Sequence, residues 1–223
     1  MKKIFSSDFF SPKTLFEFLF FLFCKLFFKF FCQLRVNGRA NLPKAPFILC
    51  SNHCSHIDTP VLMLATKFYF RKLGIIVAED YFFSHKKSRG IVRLFMNTIP
   101  LNRQCTHTSL RNALRQCKEF IAQGGNCLII YPEGTRSCNG EMQPFKRGIA
   151  LLACELNLPI VPVHIQGSHP VLSKNNFIPR PGRITVNIGR SLHVVKKTRQ
   201  HKDEPCVIRT LENQIQELRQ QKL

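Results

Sequence analysis

Acidic residues are scarce in this 223-residue chain: 13 Asp and Glu stand against 33 Lys and Arg, a formal net charge of +20. That imbalance favours an anionic partner, whether nucleic acid, an acidic membrane surface or a phosphorylated substrate, and does not choose among them. The ten cysteines include no CxxC pair and are scattered at 24, 32, 50, 54, 105, 117, 127, 138, 154 and 206. Such spacing lacks the signature of a disulfide framework and reads as reduced cysteines used as small apolar residues in a cytosol-facing protein. There is no internal repeat, no linker long enough to divide the domain and no GxSxG nucleophile elbow. The length suits one full domain with a sizeable core.

Nor does the chain contain an uncharged apolar run long enough to cross a bilayer. After Glu17 the longest such stretch near the amino terminus is FLFFLFC, residues 18 to 24, against roughly 18 to 20 residues for a spanning helix. Yet twelve of the 21 phenylalanines lie in the first 31 residues, within FFSPKTLFEFLFFLFCKLFFKFFC from Phe9 to Cys32. A soluble surface does not tolerate so much exposed aromatic area. On a helical wheel Lys13, Glu17, Lys25 and Lys29 share an arc of about 160°, with Phe and Leu covering the rest. This predicts an interfacial helix whose lysines reach toward head groups. A removed signal peptide is the weaker reading because no small-x-small site follows. A core helix and a tilted span with snorkelling lysines are two further alternatives.

Beyond Arg39 the composition is that of a globular domain. Predicted strands are FILC (47 to 50), LGIIVA (73 to 78), TIPL (98 to 101), NCLIIY (126 to 131), PIVPVHI (159 to 165) and RITVNI (183 to 188). Between them come predicted helices from about Thr59 to Lys67, from Tyr81 to Phe95, over SLRNALRQCKEFIAQ up to the Gly124–Gly125 stop, over GIALLACELN, and a polar one from Glu204 to Lys222. The expectation is an α/β fold with a mixed central sheet flanked by helices, carrying an amino-terminal amphipathic, membrane-associated helical segment. Residues 1–35 are expected to form the anchor and 36–223 one globular domain.

Two loops carry the chemistry. NHCSHID, Asn52 to Asp58, follows a strand and opens a helix, so a turn can fold Asp58 back onto one nitrogen of His53. A carboxylate there fixes the tautomer and leaves the other nitrogen free to take a proton. From spacing alone a helix cap at Asp58 and a satisfied loop histidine at His53 are the preferred reading. A metal set of His53, His56 and Asp58, and a serine nucleophile at Ser51 or Ser55, rank lower. In the second loop, PEGTRS at 132 to 137, Glu133 can accept from hydroxyls, Gly134 can admit a ligand close to the backbone and Arg136 can fork onto phosphate, while a surface turn with a solvated Glu133–Arg136 ion pair is the alternative for the loop alone. Arg103, after TIPL, is a third candidate of that kind.

Together NHCSHID, IPLNR (99 to 103), YPEGTRS and IVPVHIQG (160 to 167), in this order and spacing, resemble the lysophosphatidic acid acyltransferase family (1-acyl-sn-glycerol-3-phosphate acyltransferases), one of the glycerolipid acyltransferases, over roughly residues 36 to 190. Two departures are Asn97, where glycine often stands, and Tyr131, where phenylalanine is usual. The resemblance implies that His53 is the general base and Asp58 its orienting partner. It implies direct attack of the acceptor on an acyl thioester with no acyl-enzyme, and Arg103, Glu133, Gly134, Thr135 and Arg136 holding glycerol phosphate. It calls for no cofactor and no metal. The implied partners are membrane lipids, lysophosphatidic acid as acceptor and phosphatidic acid as product, with acyl-CoA or acyl carrier protein as donor. The implied location is the cytoplasmic face of the inner or plasma membrane, monotopic rather than spanning. Glycerol 3-phosphate or another lysophospholipid is the alternative acceptor. Residues 156 to 202, with eight Lys or Arg and no Asp or Glu, are a candidate docking tract or an ordinary solvated face. A non-catalytic membrane or nucleic-acid binder is the remote alternative; no nucleic-acid module is present, so no nucleic acid is expected.

Overall fold

A computed structural model describes residues 12–80, 96–193 and 204–221. The helix expected over 81 to 95 and the basic positions 194 to 202 lie outside these described residues. Seven strands, β1 (Arg35–Asn37), β2 (Phe47–Ser51), β3 (Leu73–Ala78), β4 (Asn97–Leu101), β5 (Cys127–Ile130), β6 (Ile160–Gln166) and β7 (Thr185–Ile188), form one sheet in the order β1-β7-β6-β2-β5-β3-β4. Every pairing is parallel except β6 with β7. The sheet is mixed and helix-covered, as the alternation of apolar runs and amphipathic stretches implies.

The central strand β2 is buried along its whole length, the near-continuous apolar pattern of a parallel strand covered on both faces. Phe47 and Leu49 point into a core with Ile129, Val161 and Val163, closed by the helices α1 (Pro12–Phe30) and α2 (Asp58–Thr66). Ile48 and Cys50 point into the opposite core with Leu128, Ile130 and Ile160. There the cover is α3 (His107–Ala122), α4 (Gly148–Leu156) and α6 (Glu204–Gln220). A short helix, α5 (Ser168–Val171), follows β6. The helix stop at Gly124 is real: its φ is +85°, and the Gly124 and Gly125 N–H groups donate to the carbonyls of Ile121 and Phe120.

Helix α1 departs from the wheel-based expectation. Glu17 is only 6% exposed, and its Oε2 accepts from Arg71 Nη1 at 2.8 Å, so this carboxylate faces protein rather than head groups. Cys24 and Phe28 on the same side are buried in the core; burying Phe28 alone contributes about 1.5–3 kcal/mol. The opposite side leaves Phe18, Leu19, Phe23, Leu26 and Phe30 exposed. The helix thus has two apolar faces, one packed and one bare, and its acidic residue lies on the packed one, paired with Arg71. Among the described residues no helix is long and apolar enough to cross a membrane.

Candidate active site

The carboxyl ends of β2, β4, β5 and β6 deliver the candidate residues to one edge of the sheet, where open parallel sheets hold their ligands. Leaving β2, Asn52 extends the ladder with its side chain: Nδ2 donates to the carbonyl of Ile165 at 2.9 Å and Oδ1 accepts from the Ile165 N–H at 2.7 Å. This amide clamp replaces a backbone pair and fixes where His53 leaves the sheet.

Asp58 then turns back onto the loop that precedes it. Its Oδ2 accepts from His53 Nδ1 at 2.8 Å and from the backbone N–H groups of Cys54 and Ser55 at 2.9 and 2.8 Å. Its Oδ1 accepts from Ser168 Oγ at 2.6 Å. The carboxylate has no exposed surface, and four donors replace the water it has lost. An acceptor at Nδ1 requires the Nδ1–H tautomer, which leaves the lone pair on Nε2. The His53 ring stacks on Tyr131 with centroids 3.8 Å apart and planes 15° from parallel. The Tyr131 hydroxyl is paired with Thr59 Oγ1 at 2.9 Å. Burial pushes this phenol well above its ordinary pKa, so it is a neutral platform under the imidazole.

Glu133 is placed differently from the expectation that it accepts from a bound hydroxyl. Its Oε1 accepts from the His53 N–H at 2.7 Å and its Oε2 from the Gln143 N–H at 2.8 Å, and it is 2% exposed. Burial pushes its carboxyl up to about 7, against the pull of those two amides. Glu133 therefore fastens the PEGTRS loop to the histidine loop from behind, helped by the Ser137 N–H donating to the His53 carbonyl at 2.8 Å.

The other candidates line a cleft of about 490 Å³ together with His53: Arg103, Gly134, Thr135 and Arg136. Gly134 turns the loop at φ +71°, a left-handed conformation that favours glycine. Arg103 Nη1 lies 2.9 Å from Asp80 Oδ2 in a largely exposed pair. Arg136 approaches the His56 ring; burial, and then the positive charge of Arg136, lowers the His56 pKa. The far wall is apolar, with Ile75, Ile76, Val77 and Met96. Among the described residues, no three His, Cys, Asp or Glu side chains group as metal ligands. Cys54, beside Asp58, has its thiol pushed up to about 12, chiefly by burial, and so remains protonated.

Sequence reasoning missed Ser168, the ring platform of Tyr131, and Lys174, which also lines the cleft. A signal for Ser168 existed: the Gly-Ser pair directly after the apolar run of β6 lies at the same strand edge as the other loops. Its partner, 110 residues away, leaves no local pattern.

With this geometry in place, comparison with known proteins decides the family: residues 33–166 match the Acyltransferase family model. The chain belongs to this acyltransferase family. It is 29% identical over 146 residues to a chloroplastic 1-acyl-sn-glycerol-3-phosphate acyltransferase of Brassica napus, covering 64% of this chain and 40% of that protein. It is 28% identical over 162 residues to the 1-acyl-sn-glycerol-3-phosphate acyltransferase of Pseudomonas aeruginosa, covering 72% and 60%. With the yeast Saccharomyces cerevisiae protein of that name it shares 29% over 158 residues, covering 70% and 50%. The chain spans about half the length of the curated relatives it matches. The crystal structure of PlsC from Thermotoga maritima, a 1-acyl-sn-glycerophosphate acyltransferase, superposes with a TM-score of 0.68 at 24% identity, covering 96% of this chain and 86% of that one. The acyltransferase fold therefore extends beyond the matched family region to nearly the whole chain.

Proposed function

We propose that this acyltransferase moves a fatty acyl group from a thioester, acyl-CoA or acyl carrier protein, to the sn-2 hydroxyl of 1-acyl-sn-glycerol 3-phosphate, giving phosphatidic acid. The observation that carries this reading is the His53–Asp58 pair set in the same cleft as Arg103, Arg136 and Lys174. A base and an anion seat sharing one cleft suit an acceptor with a hydroxyl near its phosphate, and the apolar wall of β3 suits acyl chains. The curated relatives' names point the same way.

In this mechanism the acceptor hydroxyl hydrogen-bonds to His53 Nε2. As its oxygen attacks the thioester carbonyl carbon, its proton passes to Nε2, and the imidazolium is stabilised by the buried Asp58 carboxylate. The tetrahedral intermediate collapses with cleavage of the C–S bond, and the departing thiolate takes the proton from Nε2 to become a thiol. No acyl-enzyme forms. Residues 1–35 carry the anchor, with the bare face of α1 in one leaflet, and residues 36–223 carry the chemistry. The cytoplasmic leaflet fits a water-soluble thioester donor and ten cysteines that form no disulfide.

The test compares acceptors with one labelled thioester. Wild type is expected to prefer lysophosphatidic acid to the phosphate-free monoacylglycerol, and to glycerol 3-phosphate and other lysophospholipids. Arg136→Ala is expected to raise KM for lysophosphatidic acid about tenfold while changing kcat less than about threefold. With monoacylglycerol the same variant should behave as wild type. Equal use of phosphorylated and phosphate-free acceptors by the wild type would remove the basis of the proposal.

Ser168 is a positioning residue in the same scheme, acting through Asp58. Ser168→Ala is expected to lower kcat about tenfold with KM within about twofold, since it weakens orientation and not binding. Ser168→Thr, which keeps the hydroxyl, should restore part of the loss. A matched fall in Tm with unchanged kcat would assign Ser168 to folding alone.

A further inference from the structure

Outside α1, the exposed large apolar side chains among the described residues are Phe177 and Ile178, 90% and 80% exposed. They are adjacent, at the tip of the loop from α5 to β7. Solitary exposed apolar residues are ordinary; two neighbours held this far out are not. The loop is closed at its neck, where the Arg180 N–H donates to the Val171 carbonyl at 2.8 Å. A side chain at Gly182 would strike Val171, so the neck packs tightly.

Both limbs of this loop are tied down, each to something with a role. On the outgoing limb, Ser173 bridges to Ser55 in the histidine loop, and the Lys174 carbonyl pairs with His56 Nε2 at 3.0 Å. On the return limb, the N–H groups of Gly182 and Ile184 donate to the carbonyls of Phe31 and Cys32 at the end of α1, at 3.2 and 2.9 Å. Phe30, itself 72% exposed, shares an open hollow of about 590 Å³ with Pro181 and Arg183. The return limb of the loop therefore meets the carboxyl end of the bare face of α1 at Phe30, while the outgoing limb borders the cleft. Lys174, Arg180 and Arg183 flank the tip, and no acidic residue occurs between 156 and 193.

We propose that Phe177 and Ile178 form a second membrane-inserting element that seats the mouth of the cleft on a bilayer containing anionic phospholipid, beside α1. An apolar tip inside a basic collar matches acyl chains beneath anionic head groups. A two-fold contact with a second copy would instead bring the same cations face to face. The proposal rests on the reading that the acceptor is a membrane lipid, and it supplies a route by which that acceptor moves from the leaflet to His53 without crossing water.

The chain contains no tryptophan, so Phe177→Trp creates a lone reporter, and Phe23→Trp, on the bare face of α1, a second one. Each full-length variant is titrated with phosphatidylcholine vesicles, with and without phosphatidylglycerol, and with brominated-chain lipid. Trp emission at 177 is expected to shift to the blue and be quenched by bromolipid, more strongly when phosphatidylglycerol is present. The double variant Phe177→Ser, Ile178→Ser is expected to bind such vesicles at least about tenfold more weakly, with acyl transfer to a short-chain soluble acceptor within about twofold of wild type. A silent reporter at 177 with a quenched one at 23 overturns the loop proposal and leaves α1 as anchor. Silence at both overturns the membrane reading as well. A blue shift at 177 on concentrating the protein without lipid makes a second copy the occupant, and overturns the proposal too. Quenching at 177 without transfer to lysophosphatidic acid upholds the docking loop while the acceptor reading fails.

Discussion

Replacing His53 by alanine is expected to lower kcat/KM for acyl transfer by about a thousandfold, the usual range for loss of a positioned base. The fall should come almost entirely in kcat, since the cleft keeps Arg103, Arg136 and Lys174 for the acceptor. Stability should change little. The imidazole is partly exposed, and its removal uncovers one face of Tyr131 but leaves Asp58 with three other donors. The check is a pair of measurements on one preparation: initial rates over a range of acceptor concentrations, and a thermal melt. An alanine variant with a normal melt and near-normal kcat would show that His53 does not take the proton.

Asp58 offers a sharper separation of chemistry from architecture. Asp58→Ala strands the buried N–H groups of Cys54 and Ser55, each costing about 1–3 kcal/mol when left unpaired, and leaves the Ser168 hydroxyl only the Cys54 thiol at 3.3 Å, so the variant is expected to lose much of its stability along with activity. Asp58→Asn behaves differently. Its amide oxygen can take the place of Oδ2 before His53, Cys54 and Ser55, and its NH₂ can replace Oδ1, because the Ser168 hydroxyl can rotate from donating to accepting. The asparagine variant should therefore fold nearly as well as wild type. Its kcat is still expected to fall about a hundredfold or more, because no negative charge remains to stabilise the imidazolium. Melting curves and kcat for the two variants check this. An asparagine variant with wild-type kcat would reduce Asp58 to a scaffold for the loop.

The pairing of His53 with Asp58 was legible in the sequence because five residues separate them, and the turn between an apolar strand and a helix start restricts how they can meet. The strands were legible for a similar local reason: LGIIVA is β3 residue for residue, and FILC extends by one residue into β2. What lay beyond reach is what pairs across long separations. Glu133 meets the His53 backbone 80 residues away and Ser168 meets Asp58 110 away, and no period in the sequence records either. The three-residue strand β1 is too short to show alternation. The wheel of α1 placed its charges on one arc but could not say which side docks, because both sides are apolar. Only the partner Arg71, on another segment, explains why Glu17 turns inward. Tyr131 stands out in the sequence only as a departure from phenylalanine; its hydroxyl is taken by Thr59 and its ring stacks under His53.

Glu133 gives the site a built-in gauge. One of its oxygens holds the backbone of the residue that bears the imidazole, and the other holds the far end of the loop that bears Arg136. Together with the Ser137–His53 backbone hydrogen bond, this side chain ties the two loops, so they cannot drift apart without breaking a buried hydrogen bond and the span from His53 to Arg136 is held. Changes at the loop tip, at Thr135 or Arg136, can alter what is gripped while leaving that span alone. Under the proposed reading, acceptors can then vary in bulk and charge more readily than in the reach from hydroxyl to phosphate.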